Sequence, residues 1–287
     1  MRRVALATCR IALPGADVPG ANPDVDAPQL LAALRQRGVA ATLEVWDDPD
    51  VDWDQFDAVV VRSTWDYTTR RAEFLAWARA RSLIFNPYEM LEYSSDKHYL
   101  IDLAERGVAV VETRVVEVGE TPEFFDSDVV IKPAVGAGSA DAARYPVEEH
   151  ASARAHVSDL HRRNRAALVQ PYIDSVDSRG ERALVFIGGD FSHALTKAAL
   201  LNTPAELRDA TFRRAQMSSA TAEPAALDLA RRALAPFSDA LYARVDLVES
   251  DGEWRVMELE LVEPNLFLAF GDQVADRFAQ ALLSRLR

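Results

Sequence analysis

Strand-forming segments change character part-way along this chain. Up to residue 92 they alternate with helical ones. Val4–Thr8, Ala41–Trp46 and Ala58–Val61 are apolar runs, while Gln29–Arg37 and Arg70–Arg81 carry helical periodicity. That rhythm needs crossover helices, so it predicts a parallel sheet covered by helices. From Glu181 onward the strands come in adjacent pairs. Ala183–Ile187 and Phe191–Lys197 flank Gly188-Gly189-Asp190, and Tyr242–Val248 and Trp254–Leu261 flank Ser250-Asp251-Gly252. Short glycine turns of this kind close antiparallel hairpins. One chain must therefore hold a parallel α/β unit and an antiparallel one.

The segment between them is mixed. Asn86-Pro87 marks a turn and the end of the first unit. Ser94-Ser95-Asp96 are good capping residues for a helix running to Glu105 before Gly107. Strands are expected at Val108–Val116, Val129–Ile131 and Ala167–Gln170, and a polar helix at Pro146–Arg163. Residues 201–222 read as irregular and polar, and helices are expected at Pro224–Phe237 and Val274–Arg287. The expected lobes are 1–92, 93–174 and 175–287, in an α/β class with α+β character after the first.

Bulk properties exclude several classes. Hydrophobic residues make up 49% of 287, enough for a sizeable core. The formal net charge of −13 argues against nucleic acid or an anionic membrane as the main partner. A single cysteine, Cys9, cannot form a disulfide within the chain, which points to a reducing cytoplasm. Cys9 ends an apolar run and reads as a small buried hydrophobe rather than a nucleophile. Arg10 interrupts the opening apolar run, too early for a signal peptide, and no stretch approaches the roughly 20 apolar residues of a membrane span.

Three stretches can carry chemistry. In Val59-Val60-Val61-Arg62-Ser63-Thr64-Trp65-Asp66-Tyr67 an apolar strand ends in a polar cluster. The carboxyl end of such a strand can face a ligand crevice, or the cluster can be a solvated turn capped by Asp66 or Thr68. Glu258 and Glu260 are two apart on one strand and share a face, and Asp246 lies on the adjacent strand. Three carboxylates on one face repel unless a cation sits between them, and Mg²⁺ suits such a set. The alternative is a solvated hairpin face, although Met257, Leu259 and Leu261 fill the other side and Glu263 brings another acid into an apolar run. The third stretch, Val129-Val130-Ile131-Lys132 with the loop Pro133–Ser139, places a lysine at a strand end before small residues. That suits a phosphate or a plain turn equally. Neither G-x-x-x-x-G-K-[ST], G-x-G-x-x-G nor G-x-S-x-G occurs. The histidines show no zinc spacing; His150, His156 and His161 read as solvent-facing, and His193 shares a strand face with Lys197.

The order of these pieces resembles the ATP-grasp superfamily from about Asn86 to Leu268. The elements are Lys97 opening a helix, Lys132 with its loop, the strand Val169-Gln170-Pro171-Tyr172-Ile173 running into a hinge, and the carboxylate ribbon. The resemblance implies that Lys97 and Lys132 hold ATP phosphates, and that Gly136, Gly138 and Ser139 belong to a loop closing over them. It implies that Gln170, Pro171, Tyr172 and Ile173 meet adenine and Asp177 the ribose. Lys197 would reach the terminal phosphate, Asp246, Glu258 and Glu260 would hold two Mg²⁺, and Arg244 would stabilise the transferred phosphoryl group. The family often has E-x-N where this chain has Glu258-Leu259-Glu260.

R-S-T-W-D-Y, G-E-R-A-L-V-F-I-G-G-D-F-S-H-A-L-T-K and M-E-L-E-L-V-E-P-N-L-F-L look like the branch containing the cycloserine-forming O-ureido-serine cyclo-ligase, and so antibiotic biosynthesis. Its fold is similar to glutathione synthetase and RimK-type ligases. A departure falls at Phe212-Arg213-Arg214-Ala215-Gln216-Met217-Ser218-Ser219, where paired glycines are expected. The implied activity is ATP-dependent ligation of a carboxylate to an amine through an acyl phosphate, on a small amino-acid-like substrate. Arg62, with Ser63 and Thr64, would take its carboxylate; Asp66 would take its amino group, with His193 and Asn265 nearby. A homodimer fits the likeness. The rival is a regulatory nucleotide binder of the same fold without turnover.

Overall fold

The computed structural model describes residues 1–201 and 216–286. Phe212–Ala215 of the departing segment and Arg287 of the last helix lie outside the described residues. Three sheets organise the rest. The first is parallel, in the order β2 (Ala40–Val45), β1 (Arg3–Thr8), β3 (Ala58–Ser63), β4 (Ile84–Phe85). Helices α1 (Ala27–Gln36) and α2 (Arg71–Arg79) provide crossovers. β3 is buried along its whole length, as a central parallel strand with both faces covered must be.

The chain then forms two short helices, α3 (Tyr88–Ser94) and α4 (Tyr99–Glu105). The expected start at Ser94 is in fact the end of α3. The Ser94 hydroxyl, buried, donates to the Leu259 carbonyl instead of capping a helix. Val108–Val116 is not one strand. Only β5 (Arg114–Val116) belongs to a sheet, while Val110 makes an isolated bridge to Val256. The second sheet is antiparallel: β5, β8 (Ala167–Pro171), β6 (Val129–Pro133), β7 (Ala143–Tyr145). Helix α5 (His150–Arg162) buries Ala153, Val157 and Leu160 against it.

Helix α6 (Ser175–Arg179) leads into the third sheet, ordered β11 (Met217–Ala220), β10 (Asp190–Lys197), β9 (Glu181–Ile187), β12 (Tyr242–Ser250), β13 (Glu253–Glu260), all antiparallel. Gly188 and Gly189 close β9 to β10 with φ of 68° and 94°, and Asp251-Gly252 close β12 to β13 with φ of 55° and 79°. Both central residues are left-handed, as type I′ turns require. Residues 217–220 are therefore not irregular, but a polar edge strand paired with β10. Helix Pro224–Leu234 buries Ala226, Leu229, Ala230 and Ala233 against this sheet. Helix Val274–Arg285 packs between α1 and β9, so Val4, Leu6 and Val60 of the first sheet share one core with Ala183, Val185 and Phe278.

Candidate active site

A cavity of about 620 Å³ opens where the three sheets meet. Its floor is the β12–β13 ribbon. Asp246 stands directly opposite Glu258, and Arg244 opposite Glu260. Oxygens of Asp246, Glu258 and Glu260 lie within 4.8 Å of one another. The register slips after Asp246, where Leu247 pairs with Val256, and Met257 is the extra residue. The bulge corrects the simple alternation: Met257 lines the cavity beside Glu258, whereas Leu259 and Leu261 remain in the core.

Cations interleave with these acids. Arg244 donates Nε to Asp246 Oδ1 at 2.9 Å and Nη2 to Oδ2 at 3.1 Å, and it also binds Glu260. Lys197 Nζ lies 2.7 Å from Asp246 and 2.8 Å from Glu181. Lys132 Nζ sits 3.2 Å from Glu258, and Lys97 Nζ 4.0 Å from it while donating to the Gly136 carbonyl at 2.5 Å. Burial works against ionised acids here, but Arg244 and Lys197 hold Asp246 down to about 2, and Lys132 and Lys97 do the same for Glu258. Glu260 is different. Burial and the neighbouring Asp246 and Glu258 outweigh Arg244 and push it up to about 7. Burial lowers Lys132, with Glu258 pulling the other way. One acid too many in a tight cluster is a donor set that a divalent cation would relieve.

At one end the cavity is an apolar slot, with Val111, Val130, Pro171, Ile173, Val176 and Met257 around it. Gln170 and Tyr172 also line it, though the Gln170 amide is committed to Thr113 Oγ1 at 2.8 Å. Asp177 does not line the cavity. It falls in the first turn of α6 and is bound by Tyr172 Oη and, at 3.4 Å, by Arg144, which stacks 3.6 Å over the Tyr172 ring. Ala137, Gly138 and Ser139 line the wall above Lys132. Gly136 backs onto Pro133, where a Cβ would come to 2.9 Å of the proline ring.

The opposite end departs most from expectation. Arg62, Ser63, Thr64 and Asp66 are not on the cavity wall. β3 is central, so its last residues stay inside the lobe. Ser63 Oγ meets Thr8 Oγ1 at 2.7 Å, and the Thr64 hydroxyl is buried without a partner among the described residues. Arg62 is 1% exposed. Its Nη2 donates to the Pro264 carbonyl at 3.1 Å, and it stacks over Tyr242. Asp66 accepts from Trp46 Nε1 at 2.9 Å and faces Arg70. His193 is also turned away: Nε2 donates to the Leu266 carbonyl at 3.0 Å, and Nδ1 meets Ser192 Oγ at 2.8 Å. The residues that do reach the cavity from the first lobe are Ile11, Gly20, Asn22, Trp65 and Thr68. Trp65 and Thr68 lie within and just after the polar cluster that ends β3, but only the turn geometry shows which side chains face out. Asn265, Phe267 and Glu263 come from the loop after β13. Glu181 carried no sequence signal.

Residues outside the site behave simply. Cys9 is buried, and burial together with Asp66 pushes its thiol up to about 11. His150, His156 and His161 are half-buried rather than solvent-facing, meeting the Ser127 carbonyl, the Tyr145 hydroxyl and the Val116 carbonyl.

Residues 4–86 match the model of the D-cycloserine synthetase DcsG N-terminal domain. The cycloserine biosynthesis protein DcsG of Streptomyces lavendulae is 37% identical over 283 residues, covering 92% of this chain and 95% of that protein. The chain belongs to the DcsG family. The crystal structure of D-cycloserine synthetase DcsG superposes with a TM-score of 0.88 at 35% identity, over 99% of this chain and 100% of that one. More distant likenesses establish the fold. A D-alanine–D-alanine ligase from Bacillus anthracis, solved with ATP, gives 0.68 at 13% identity over 100% of this chain and 97% of that one. A RimK-domain ATP-grasp protein from Sphaerobacter thermophilus gives 0.66 at 20% identity, over 98% and 99%. The chain thus has the ATP-grasp fold shared by the DcsG family and these proteins. Among the described residues no helix is long and apolar enough to cross a membrane.

Proposed function

We propose that this chain is an ATP-dependent carboxylate–amine ligase that closes a small amino-acid-like molecule into a ring, as cycloserine formation requires. The observation that carries this reading is the interleaved set of Asp246, Glu258, Glu260, Lys132, Lys197 and Arg244 on the floor of one cavity, in a chain of the DcsG family.

The apolar slot beside Met257 and Ile173 takes adenine, and the backbone of 170–173 meets its edge. Lys97 and Lys132 neutralise phosphate oxygens, with the 136–139 loop covering them. Asp246, Glu258 and Glu260 hold Mg²⁺, two ions by family likeness. When bound, the metal offsets phosphate charge. The substrate carboxylate attacks the terminal phosphorus of ATP, and Lys197 and Arg244 stabilise the charge of the transferring group. The amine nitrogen then attacks the acyl phosphate and expels inorganic phosphate. The protein supplies position and charge, and needs no nucleophile of its own. An acyl phosphate hydrolyses in water, so the loop must shut before it forms. The lobes 1–92, 93–174 and 175–287 are the units between which the site closes. The lone buried cysteine fits a cytoplasmic enzyme.

ADP release with Mg²⁺, ATP and a panel of amino-acid-like carboxylates including O-ureido-serine tests this. Wild type should release ADP only with the right carboxylate, and Glu258→Ala should lose at least about a hundredfold of that rate. ATP binding with silence across the panel would favour a regulatory nucleotide binder. No ATP binding would end the reading.

A further inference from the structure

The first-lobe end of the cavity holds Ile11, Asn22, Trp65, Thr68, Asn265 and Phe267, with one further residue of a different kind, Glu263. Glu263 lines both this cavity and the small pocket beneath it, next to Tyr67 and Lys97. It is only 6% exposed. Its carboxylate makes no hydrogen bond and no ion pair among the described residues. An isolated buried carboxylate is costly, so such a group calls for a partner.

Arg244, Lys97 and Arg62 lie near Glu263, yet none of them makes an ion pair with it among the described residues. Arg244 is held by Asp246, Glu260 and the Asn265 carbonyl. Lys97 donates to the Gly136 carbonyl and faces Glu258. Arg62 donates Nη2 to the Pro264 carbonyl, and its Nε and Nη1 are buried without a hydrogen-bond partner among the described residues. The remaining ionisable neighbours of Glu263 are Glu260, Tyr67 and Tyr242. Burial and Glu260 outweigh Arg244, Lys97 and Arg62 and push the Glu263 carboxyl up to about 8.

The carboxylate is nevertheless held in place by design of the loop. Arg62 pins Pro264, and Asp26 of the first lobe accepts the N–H groups of Leu266 and Phe267 at 3.0 Å and of Leu268 at 3.2 Å. A rigid, buried acid that makes no ion pair among the described residues, on a wall where Arg244 is already taken by Asp246 and Glu260, fits a ligand cation. We propose that Glu263 receives the ammonium group of an α-amino acid substrate, the role that Asp66, turned onto Trp46, cannot fill. This deepens the ligase reading and rests on it for the identity of the ligand. The ammonium held here is not the nitrogen that reacts. Recognition by Glu263 would make the enzyme select amino acids over plain carboxylic acids.

Binding titrations separate this inference from turnover. O-ureido-serine and its counterpart lacking the amino group, 3-(ureidooxy)propionate, are titrated into protein loaded with a non-hydrolysable ATP analogue and Mg²⁺. Wild type should prefer the amino acid by on the order of ten- to a hundredfold. Glu263→Gln should erase that preference by weakening only the amino acid, and Glu263→Asp should restore part of it. A preference that survives in Glu263→Gln, equal loss of both ligands, or no preference in wild type would each overturn the proposal. Discrimination by wild type without any ADP release would instead count against the ligase reading alone.

Discussion

At the scale of single residues, the site is a balance between burial and paired charge. Asp246 and Glu258 remain ionised because each has two cations to hand, whereas Glu263 has none bound to it. That difference has a consequence for stability. A carboxyl raised from 4.5 to about 8 binds its proton more tightly in the folded chain than in the unfolded one. Its favourable contribution is complete below pH 4.5 and is lost as pH rises through about 8. Glutamine does not titrate and keeps the neutral form throughout. Glu263→Gln should therefore melt close to wild type at pH 4.5 and above it at pH values beyond 8, by thermal denaturation without nucleotide or metal. A gap independent of pH would contradict the environment described for Glu263. The carboxylate ribbon was legible in the sequence because a spacing of two on a strand fixes a shared face. The first-lobe wall of the cavity was not. Arg62 to Asp66 carry the right chemistry, yet a central parallel strand keeps its end inside the lobe. The residues that face the cavity, Trp65 and Thr68, look no different in sequence.

At the scale of elements, the hairpins could be read because Gly188-Gly189 and Asp251-Gly252 permit the left-handed turns that two-residue loops need. Strand Met217–Ala220 could not, since it is a polar edge with half its residues exposed and no apolar alternation. The β12–β13 bulge was likewise invisible, although it brings Met257 to the cavity. One further glycine sets the site. Gly180, at φ 68°, joins α6 to β9, and a Cβ there would lie 2.5 Å from the Lys197 carbonyl oxygen and 2.6 Å from Thr196 Cγ2. β10 would have to move, taking Lys197 away from Asp246 and Glu181. Gly180→Ala should cost about 1–3 kcal/mol, through the left-handed conformation and the clash together, measured by urea denaturation. Its catalytic rate should fall as well, because the displaced lysine contacts the ribbon. A variant of wild-type stability and rate would show that β10 has more freedom than this packing allows.

Across the whole molecule, the first lobe and the last are knitted rather than loosely docked. Asn86 donates its amide to the Leu261 and Tyr242 carbonyls at 2.8 and 2.9 Å and accepts from Leu241 N–H, while Tyr242 Oη lies 2.6 Å from the Val61 carbonyl. Asp26 ties the first lobe to the 266–268 loop. The first-lobe end of the cavity is thus fixed by two lobes, and in the proposed reaction the 136–139 loop would close against it. The proposed function has the β12–β13 ribbon and its cations activate a carboxylate as an acyl phosphate. O-ureido-serine labelled with ¹⁸O in its carboxylate tests that claim directly, by mass spectrometry of the inorganic phosphate formed with ATP and Mg²⁺. Attack on phosphorus by the carboxylate, followed by cleavage of the carbon–oxygen bond, predicts one ¹⁸O in each phosphate. Phosphate free of label, formed alongside product, would contradict it.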